Sequence, residues 1–404
     1  CSAEQSPVVQ SRLQARILDL HARLGWPAPE FSARERVGGL SLAFDGPIDR
    51  LYAGIALAEL AWECCFGAQG DLDAALKAVV ERAAEEANPA LLALQTKARE
   101  TGAPLLWDDD EVSVGFGASA RTWPSRPAPD PNDIDWALPR RIPTALITGT
   151  NGKTTTARMC AAILRAAGHT VGLSSTEGIW INDTALDEGD YAGPGGAREI
   201  LRHREASAAV LETARGGLLR RGMGGDEANA AVITNIAADH LGDFGSRTLA
   251  ELLEIKWIVS RAVKRSGVLV LNADDPLLVE KARTHDGAIV WFSLDPERRT
   301  AEFRPEDQWL IRDAAGTRHR LCRIDDIPLT LNGAARHNVA NALAAAAVSA
   351  YLGAEPEAIA GGLTRMQQDD NPGRGNLYQV DGVSVFVDFA HNPHAMAAIA
   401  SLTA

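Results

Sequence analysis

Cysteine, aromatic residues and positive charge are all scarce in this 404-residue chain. The five cysteines, Cys1, Cys64, Cys65, Cys160 and Cys322, show no CxxC or zinc-ligand spacing, which excludes a disulfide scaffold and points to a reducing, cytoplasmic setting. A formal net charge of −13 leaves no basic stripe to neutralise phosphates, so a nucleic-acid partner is not expected. No run approaches the ~20 apolar residues that a bilayer span requires, and no membrane partner is expected either. Cys1 is not followed by a basic-then-apolar leader, and a start at cysteine suggests numbering that begins after missing residues.

What is present is an ordinary globular composition, 46% apolar and 23% charged, long enough for two or three domains. Residues 1–123 read as a mixed α/β domain. Helical periodicity runs through Ser11–Leu24, Arg50–Cys65, Asp71–Glu86 and Pro89–Glu100; strand-like stretches are Val37–Phe44, Pro104–Trp107 and Val112–Phe116. The proline-rich stretch that opens at Trp123 cannot continue a helix, and residues 124–142 are expected to be a linker. From Pro143 short apolar runs alternate with helices: Thr144–Thr148, Ala208–Leu211, Ala230–Thr234, Val268–Leu271 and Ala288–Phe292. Such runs mark a parallel sheet covered by helices on both faces, here assigned to 143–370. An alanine-rich helix, Asn338–Leu352, precedes a strand, Val383–Val387, and residues 371–404 are expected to begin a further, incomplete domain. No internal repeat is present.

The strand Thr144–Thr148 runs directly into Gly149, Thr150, Asn151, Gly152, Lys153, Thr154 and Thr155, and a helix-compatible stretch follows. That strand–loop–helix context is what a phosphate-binding loop needs. The glycines let backbone amides curl around phosphate oxygens, the helix N-terminus adds partial positive charge and Lys153 adds a full one. Thr154 is then placed to ligate magnesium. The usual pattern has a glycine separated by four residues from the Gly-Lys pair, where this chain has Ile147.

Glu212 ends the run from Ala208, and Asp239-His240 follow the run ending at Thr234. Both lie at strand carboxyl ends, where α/β sheets bind ligands. Each alone could be a solvated strand end or a structural hydrogen bonder; with the phosphate loop they imply one site. Lys256 falls in the middle of an apolar helical seam formed by Leu249, Leu252, Val259 and Val263. It either snorkels along the apolar surface to water or has work inside.

These residues, together with Asn272-Ala-Asp-Asp275, His337-Asn338, Gly373-Arg374 and Asp388-Phe-Ala-His391-Asn-Pro393, resemble the Mur ligases in order and spacing over residues 144–394. The string from Glu212 to Gly222 (ETARGGLLRRG) and Thr234 to Leu241 (TNIAADHL) resembles the Mur-ligase-like half of cyanophycin synthetase. The resemblance implies that Lys153 and the loop amides hold ATP phosphates, that Thr154 and Glu212 hold one magnesium and that His240 holds a second. It implies a carbamylated Lys256 orienting that second ion, Asn338 at adenine, Arg374 at the nucleotide phosphates and Asp388 at the ribose. Arg215 and Arg220 lie in the subfamily string and could steer an acidic substrate, with His391 beside them; for Arg221 a solvated face is as plausible.

One departure stands out. Cyanophycin synthetase carries an ATP-grasp domain before its Mur-like half, whereas this chain passes from its first domain through a proline linker to the phosphate loop. The segment Ala103–Gly117 resembles the flank of that domain with the domain removed. The expectation is therefore an ATP- and magnesium-dependent carboxylate–amine ligase with one active site, which joins an amino acid to a carboxylate-bearing substrate, a peptide being one candidate; the resemblance leaves both a monomer and a homo-oligomer open. The alternatives are a folylpolyglutamate-synthase-like ligase, a P-loop kinase and a non-catalytic ATP-binding regulator.

Overall fold

A computed structural model describes residues 6–36, 39–67, 70–243, 246–314 and 316–402. The chain forms two compact units, one of residues 1–114 and 122–139, the other of residues 115–121 and 140–404.

The first unit opens with α1 (Ser6–Leu24), the hairpin β1 (Phe31–Arg36) and β2 (Gly39–Phe44), and α2 (Leu51–Phe66). Val37 and Gly38, read as the start of a strand, lie outside the described residues. Then come α3 (Leu72–Glu86) and α4 (Pro89–Thr101), each beginning where a side chain can cap it. Asp71 accepts from the amides of Asp73 and Ala74, and Asn88 accepts from Leu91 with Pro89 in the first turn. Ile17, Leu20, Leu57, Leu60 and Val79 close the helical core. A small sheet of β3 (Leu105–Trp107), β4 (Glu111–Val114) and β5 (Arg121–Pro124) covers a second cluster around Leu94 and Val112. The proline-rich stretch beyond β5 is tied back: the Asn88 amide donates to the Ser125 carbonyl at 2.7 Å.

The second unit is built on an eleven-stranded sheet. In chain order its elements are β6 (Thr144–Thr148), α5 (Lys153–Ala166), β7 (Val171–Ser175), β8 (Gly178–Ile181), β9 (Thr184–Glu188), α6 (Pro194–Arg202), β10 (Ala208–Glu212), α7 (Arg215–Arg221) and β11 (Ala228–Ile233). After these come α8 (Leu249–Trp257), β12 (Val263–Asn272), α9 (Pro276–Ala282), β13 (Ala288–Phe292), β14 (Phe303–Glu306), β15 (Trp309–Ala314), β16 (Thr317–Arg323), α10 (Arg336–Tyr351) and α11 (Pro356–Arg365). The spatial order is β16-β15-β14-β13-β12-β11-β6-β10-β7-β8-β9. The stretch from β14 to β7 is parallel, and an antiparallel pair extends each edge.

The sheet is thus mostly parallel with helices on its faces, as the apolar runs predict, but the edge strands escape the sequence pattern. Every residue of β9 is exposed, and β15 and β16 are each buried only at two consecutive residues, Leu310–Ile311 and Leu321–Cys322, amid arginines and other polar residues, so none of the three shows the long buried run of a central strand. The centre behaves oppositely. Ala145, Ile147, Val210, Val232 and Val270 pack beneath α5 and α10, while the alternating Leu146, Leu211, Ile233, Leu269 and Leu271 are equally buried on the other face. Alanines dominate the middle of α10, from Ala342 to Ala347, and let that helix lie close against the sheet and α5.

The chain ends in an antiparallel hairpin, β17 (Arg374–Val380) and β18 (Val383–Asp388), followed by α12 (Pro393–Ala400), which Asn392 caps.

Candidate active site

The site lies at the carboxyl ends of the central strands. β6 sits between β10 and β11, so its C-terminal loop is flanked by theirs. Gly149 has φ +144° and Gly152 φ +83°, conformations that side chains rarely adopt. A Cβ on Gly149 would lie 1.9 Å from Thr234 Oγ1, and one on Gly152 would lie 2.2 Å from Asn341 Oδ1.

The end of β11 holds the loop in shape. The Thr150 amide donates to the Asn235 carbonyl (2.8 Å) and the Asn151 amide to Asn235 Oδ1 (3.0 Å). Thr234 Oγ1 and Asn235 Nδ2 both donate to the Asn151 carbonyl, at 2.7 and 3.0 Å. Nothing in the local string marks Asn235 as a brace; only the pairing of β6 with β11 brings it there.

Lys153 opens α5 and folds back onto the loop, its Nζ donating to the Thr150 carbonyl at 3.0 Å. Burial lowers its pKa, with Glu212 and Asp239 pulling the other way. Glu212, the last residue of β10, is 1% exposed. Its Oε2 accepts the Thr176 amide at 3.3 Å, and its Oε1 is buried with no hydrogen-bond partner. Burial raises its pKa, while Lys153 and a hydrogen bond from Thr154 counteract the shift. A buried carboxylate with an open oxygen beside a threonine hydroxyl and a phosphate loop has the oxygen donors that magnesium takes, so the donor set fits that ion.

Lys256 does point inward. It is 4% exposed, and Nζ donates to the Gly149 carbonyl at 2.6 Å. Burial, joined by the charges of Lys153 and Arg215, pushes its pKa well down, which favours the neutral amine. α8 reaches this position because Thr248 and Glu251 form a capping box at its start.

A cavity of about 1270 Å³ opens beside the loop, and residues 150–155, Glu212, Asn338, Arg374, Asp388 and His391 line it. Asn338 is 2% exposed; its Nδ2 donates to the Leu329 carbonyl (2.8 Å) and its Oδ1 accepts from Asn341 (3.1 Å). Its neighbour His337 lies near Asp388, and burial lowers its pKa. Arg374 and Asp388 are register partners across the β17–β18 hairpin. Glu177, which sequence reasoning did not single out, grips Arg374 Nε at 2.9 Å and also pairs with Arg158. The residue has no motif; its role depends on a contact 197 residues away.

His240, Lys256, Arg215 and Arg220 do not line the cavity. His240 has φ +45° and a half-exposed ring. Arg215 anchors its loop, donating to the carbonyl of His240 (2.9 Å) and to Ser246 Oγ (3.1 Å). Arg220 is exposed on α7, where its Nε donates to the Gly216 carbonyl at 3.2 Å.

Fold and loop together define an α/β protein with a P-loop-like junction at the carboxyl edge of a mostly parallel sheet. A family model, the Mur ligase middle domain, matches residues 147–349, half of the chain. The chain belongs to the Mur ligase family. It is 37% identical over 280 residues to a cyanophycin synthetase of Synechocystis sp., a match covering 65% of this chain and 31% of that protein. It is 33% identical over 264 residues to a UDP-N-acetylmuramoylalanine–D-glutamate ligase of Thermobifida fusca, covering 64% and 51%. A solved UDP-N-acetylmuramoyl-L-alanyl-D-glutamate–2,6-diaminopimelate ligase shares the fold, with a TM-score of 0.51 at 22% identity, over 64% of this chain and 53% of that one. The chain therefore spans about a third of the cyanophycin synthetase and about half of the Mur ligases it matches.

Proposed function

We propose that the chain is an ATP- and magnesium-dependent ligase that activates a carboxylate as an acyl phosphate and joins it to an amino-acid amine, with ADP and phosphate as co-products. The observation that carries this reading is Glu212, a buried carboxylate with one unpartnered oxygen set beside Thr154 and Lys153.

On this reading Lys153 and the amides of 149–155 cradle the ATP phosphates, and Asn338 meets the adenine. Arg374 reaches the phosphates and Asp388 the ribose. Thr154 and Glu212 hold one magnesium and His240 a second, with a carbamylated Lys256 orienting it. Magnesium supplies charge neutralisation on the transferring phosphoryl group. The substrate carboxylate oxygen attacks the γ-phosphorus while the bond to ADP breaks, and Lys153 offsets the charge that spreads over the oxygens. The amine nitrogen then attacks the acyl carbon, phosphate leaves and a proton is lost from nitrogen. Residues 371–404 close over the cavity and exclude the water that would hydrolyse the acyl phosphate. Arg215, Arg220 and His391 steer the acidic partner.

The neutral amine that burial favours at Lys256 is the form that adds carbon dioxide, which supports the carbamate. In the same scheme residues 1–123 form an N-terminal domain, 124–142 a linker, 143–370 the ATP-binding domain and 371–404 the start of the C-terminal domain.

The test is phosphate release from ATP and magnesium across the twenty amino acids, with and without acidic peptides, read with product masses. ADP release that needs both substrates, with a product lighter than their sum by one water, establishes the ligase. Phosphorylation of a substrate without condensation overturns it.

A further inference from the structure

We propose that Glu177 is a positioning residue for nucleotide phosphates: it holds the Arg374 guanidinium by the Nε edge and leaves both Nη groups for the phosphate oxygens. The role rests on the proposed reading of Arg374 as a phosphate contact, and it falls to a residue outside every motif of the sequence.

Glu177 sits in the turn between β7 and β8, and that turn is fixed. Ser175 and Gly178 are antiparallel partners across it, and the Glu177 amide donates to Ser175 Oγ at 3.1 Å. A Cβ on Gly178 would lie 2.4 Å from the Asp187 carbonyl oxygen, so the backbone has no room to shift there. The amide just before, that of Thr176, is the one Glu212 Oε2 accepts. The Glu177 carboxylate therefore stands on backbone already anchored to the buried acid of the site.

Its two oxygens take different arginines. Oε1 accepts from Arg374 Nε at 2.9 Å, and Oε2 pairs with Nη2 of Arg158 on α5. Arg158 is itself held, 5.5 Å from the Trp180 ring centroid and donating through Nη1 to the Asp370 carbonyl. The Arg374 guanidinium lies 5.5 Å from the Phe389 ring centroid. An edge committed to Glu177 and a face against Phe389 fix the tilt of a planar group. Among the described residues neither Nη of Arg374 makes a hydrogen bond, and these are donors that a phosphate takes in pairs.

The charge acts where phosphate would lie. Beside the larger effect of burial, Arg374 lowers the pKa of Lys153 and opposes the rise at Glu212. Glu177 and Arg374 also line the same cavity as Lys153. Without the carboxylate, Arg158 and Arg374 would face each other as like charges, and Arg374 would turn away.

The experiment measures binding of magnesium ATP and of adenosine to the full chain, by displacement of a fluorescent ATP analogue. Wild type, Glu177→Ala, Arg374→Ala and the double variant are compared. Glu177→Ala is expected to weaken ATP binding by roughly 10–100-fold, the scale of a hydrogen bond to a charged group. Adenosine, which has no phosphate, should bind as it does to wild type. The double variant should bind ATP no more weakly than Arg374→Ala alone, because Glu177 acts through that arginine. Glu177→Gln keeps one acceptor and should lose less than Glu177→Ala; circular dichroism confirms that each variant folds. Equal weakening of ATP and adenosine would make Glu177 a brace of the hairpin and overturns the proposal, as do additive losses in the double variant. Weakened ATP binding in Arg374→Ala beside unchanged binding in Glu177→Ala overturns the positioning role alone. Wild-type ATP affinity in Arg374→Ala overturns it together with the reading of Arg374.

Discussion

The side-chain amides of Asn151 and Asn392 exchange two hydrogen bonds, 2.9 Å in one direction and 3.2 Å in the other. One residue belongs to the glycine-containing loop between β6 and α5 and the other caps α12, so the C-terminal segment is fastened directly to that loop. In a double-mutant cycle, Asn151→Ala and Asn392→Ala should show a coupling of about 0.5–3 kcal/mol in denaturant unfolding. Simple additivity would mean that the pair contributes nothing. Asn392→Ala alone should also cost roughly 1 kcal/mol for the lost cap.

Lys153→Ala should lower ATP-dependent turnover by roughly 10²–10³-fold, the scale of removing one electrostatic stabiliser of a charged transition state. Circular dichroism and the melting curve should stay close to wild type, because Lys153 makes a single hydrogen bond to a loop carbonyl. Unchanged turnover would remove the loop from the chemistry.

Glu212 gives a pH dependence with a defined sign. Its pKa is raised in the folded state by burial, so the folded protein binds its proton more tightly than the unfolded chain does. Without metal, the stability this group contributes is fully present below the ordinary glutamate pKa. It is lost as pH rises through the raised folded value. Glu212→Gln should flatten that part of the stability–pH curve and should also abolish magnesium-dependent nucleotide binding. A curve identical to wild type would show that another group titrates there.

Gly149→Ala should destabilise the second unit by about 1–3 kcal/mol, since the added carbon collides with Thr234 Oγ1 in a backbone conformation that disfavours side chains. Thr234→Ala in the same chain removes the colliding atom and should recover part of the loss in urea unfolding. No recovery would assign the whole cost to the backbone.

Lys256 should gain the mass of one carbon dioxide in bicarbonate, detected on the intact protein under mild ionisation, and activity should rise with bicarbonate. Its lowered pKa keeps the reactive neutral amine populated at lower pH than for an exposed lysine, so the gain should persist toward neutral pH. Lys256→Arg should show neither the mass nor the bicarbonate response.

The loop between β6 and α5 was readable because its signals are local. A glycine pair, a lysine and two threonines between an apolar run and a helix-compatible stretch mark a strand–loop–helix junction, which the structure forms, and Glu212 announces itself by ending an apolar strand. Lys256 was readable for the opposite reason, as a charge that interrupts an apolar seam, and the structure buries it. What stayed hidden acts across distance. Asn235 matters only because β11 pairs with β6, and Glu177 only because Arg374 comes to meet it. The edge strands were hidden by their solvent-facing residues: the exposed β9 has the composition of a loop. Arg215, singled out as a residue that could steer an acidic substrate, also donates to the carbonyl of His240, a contact that its sequence neighbours do not reveal.

The bracing of the phosphate loop by Thr234 and Asn235 means that the seven-residue motif does not own its shape. Most of the restraint comes from a strand end more than eighty positions downstream. A peptide cut to the motif and its own strand and helix would carry the right letters without the cradle. On the proposed reading, nucleotide affinity in the intact chain reports on the assembly of the sheet: a lesion that loosens β11 from β6 should register first as weakened ATP binding, while the secondary structure still looks whole.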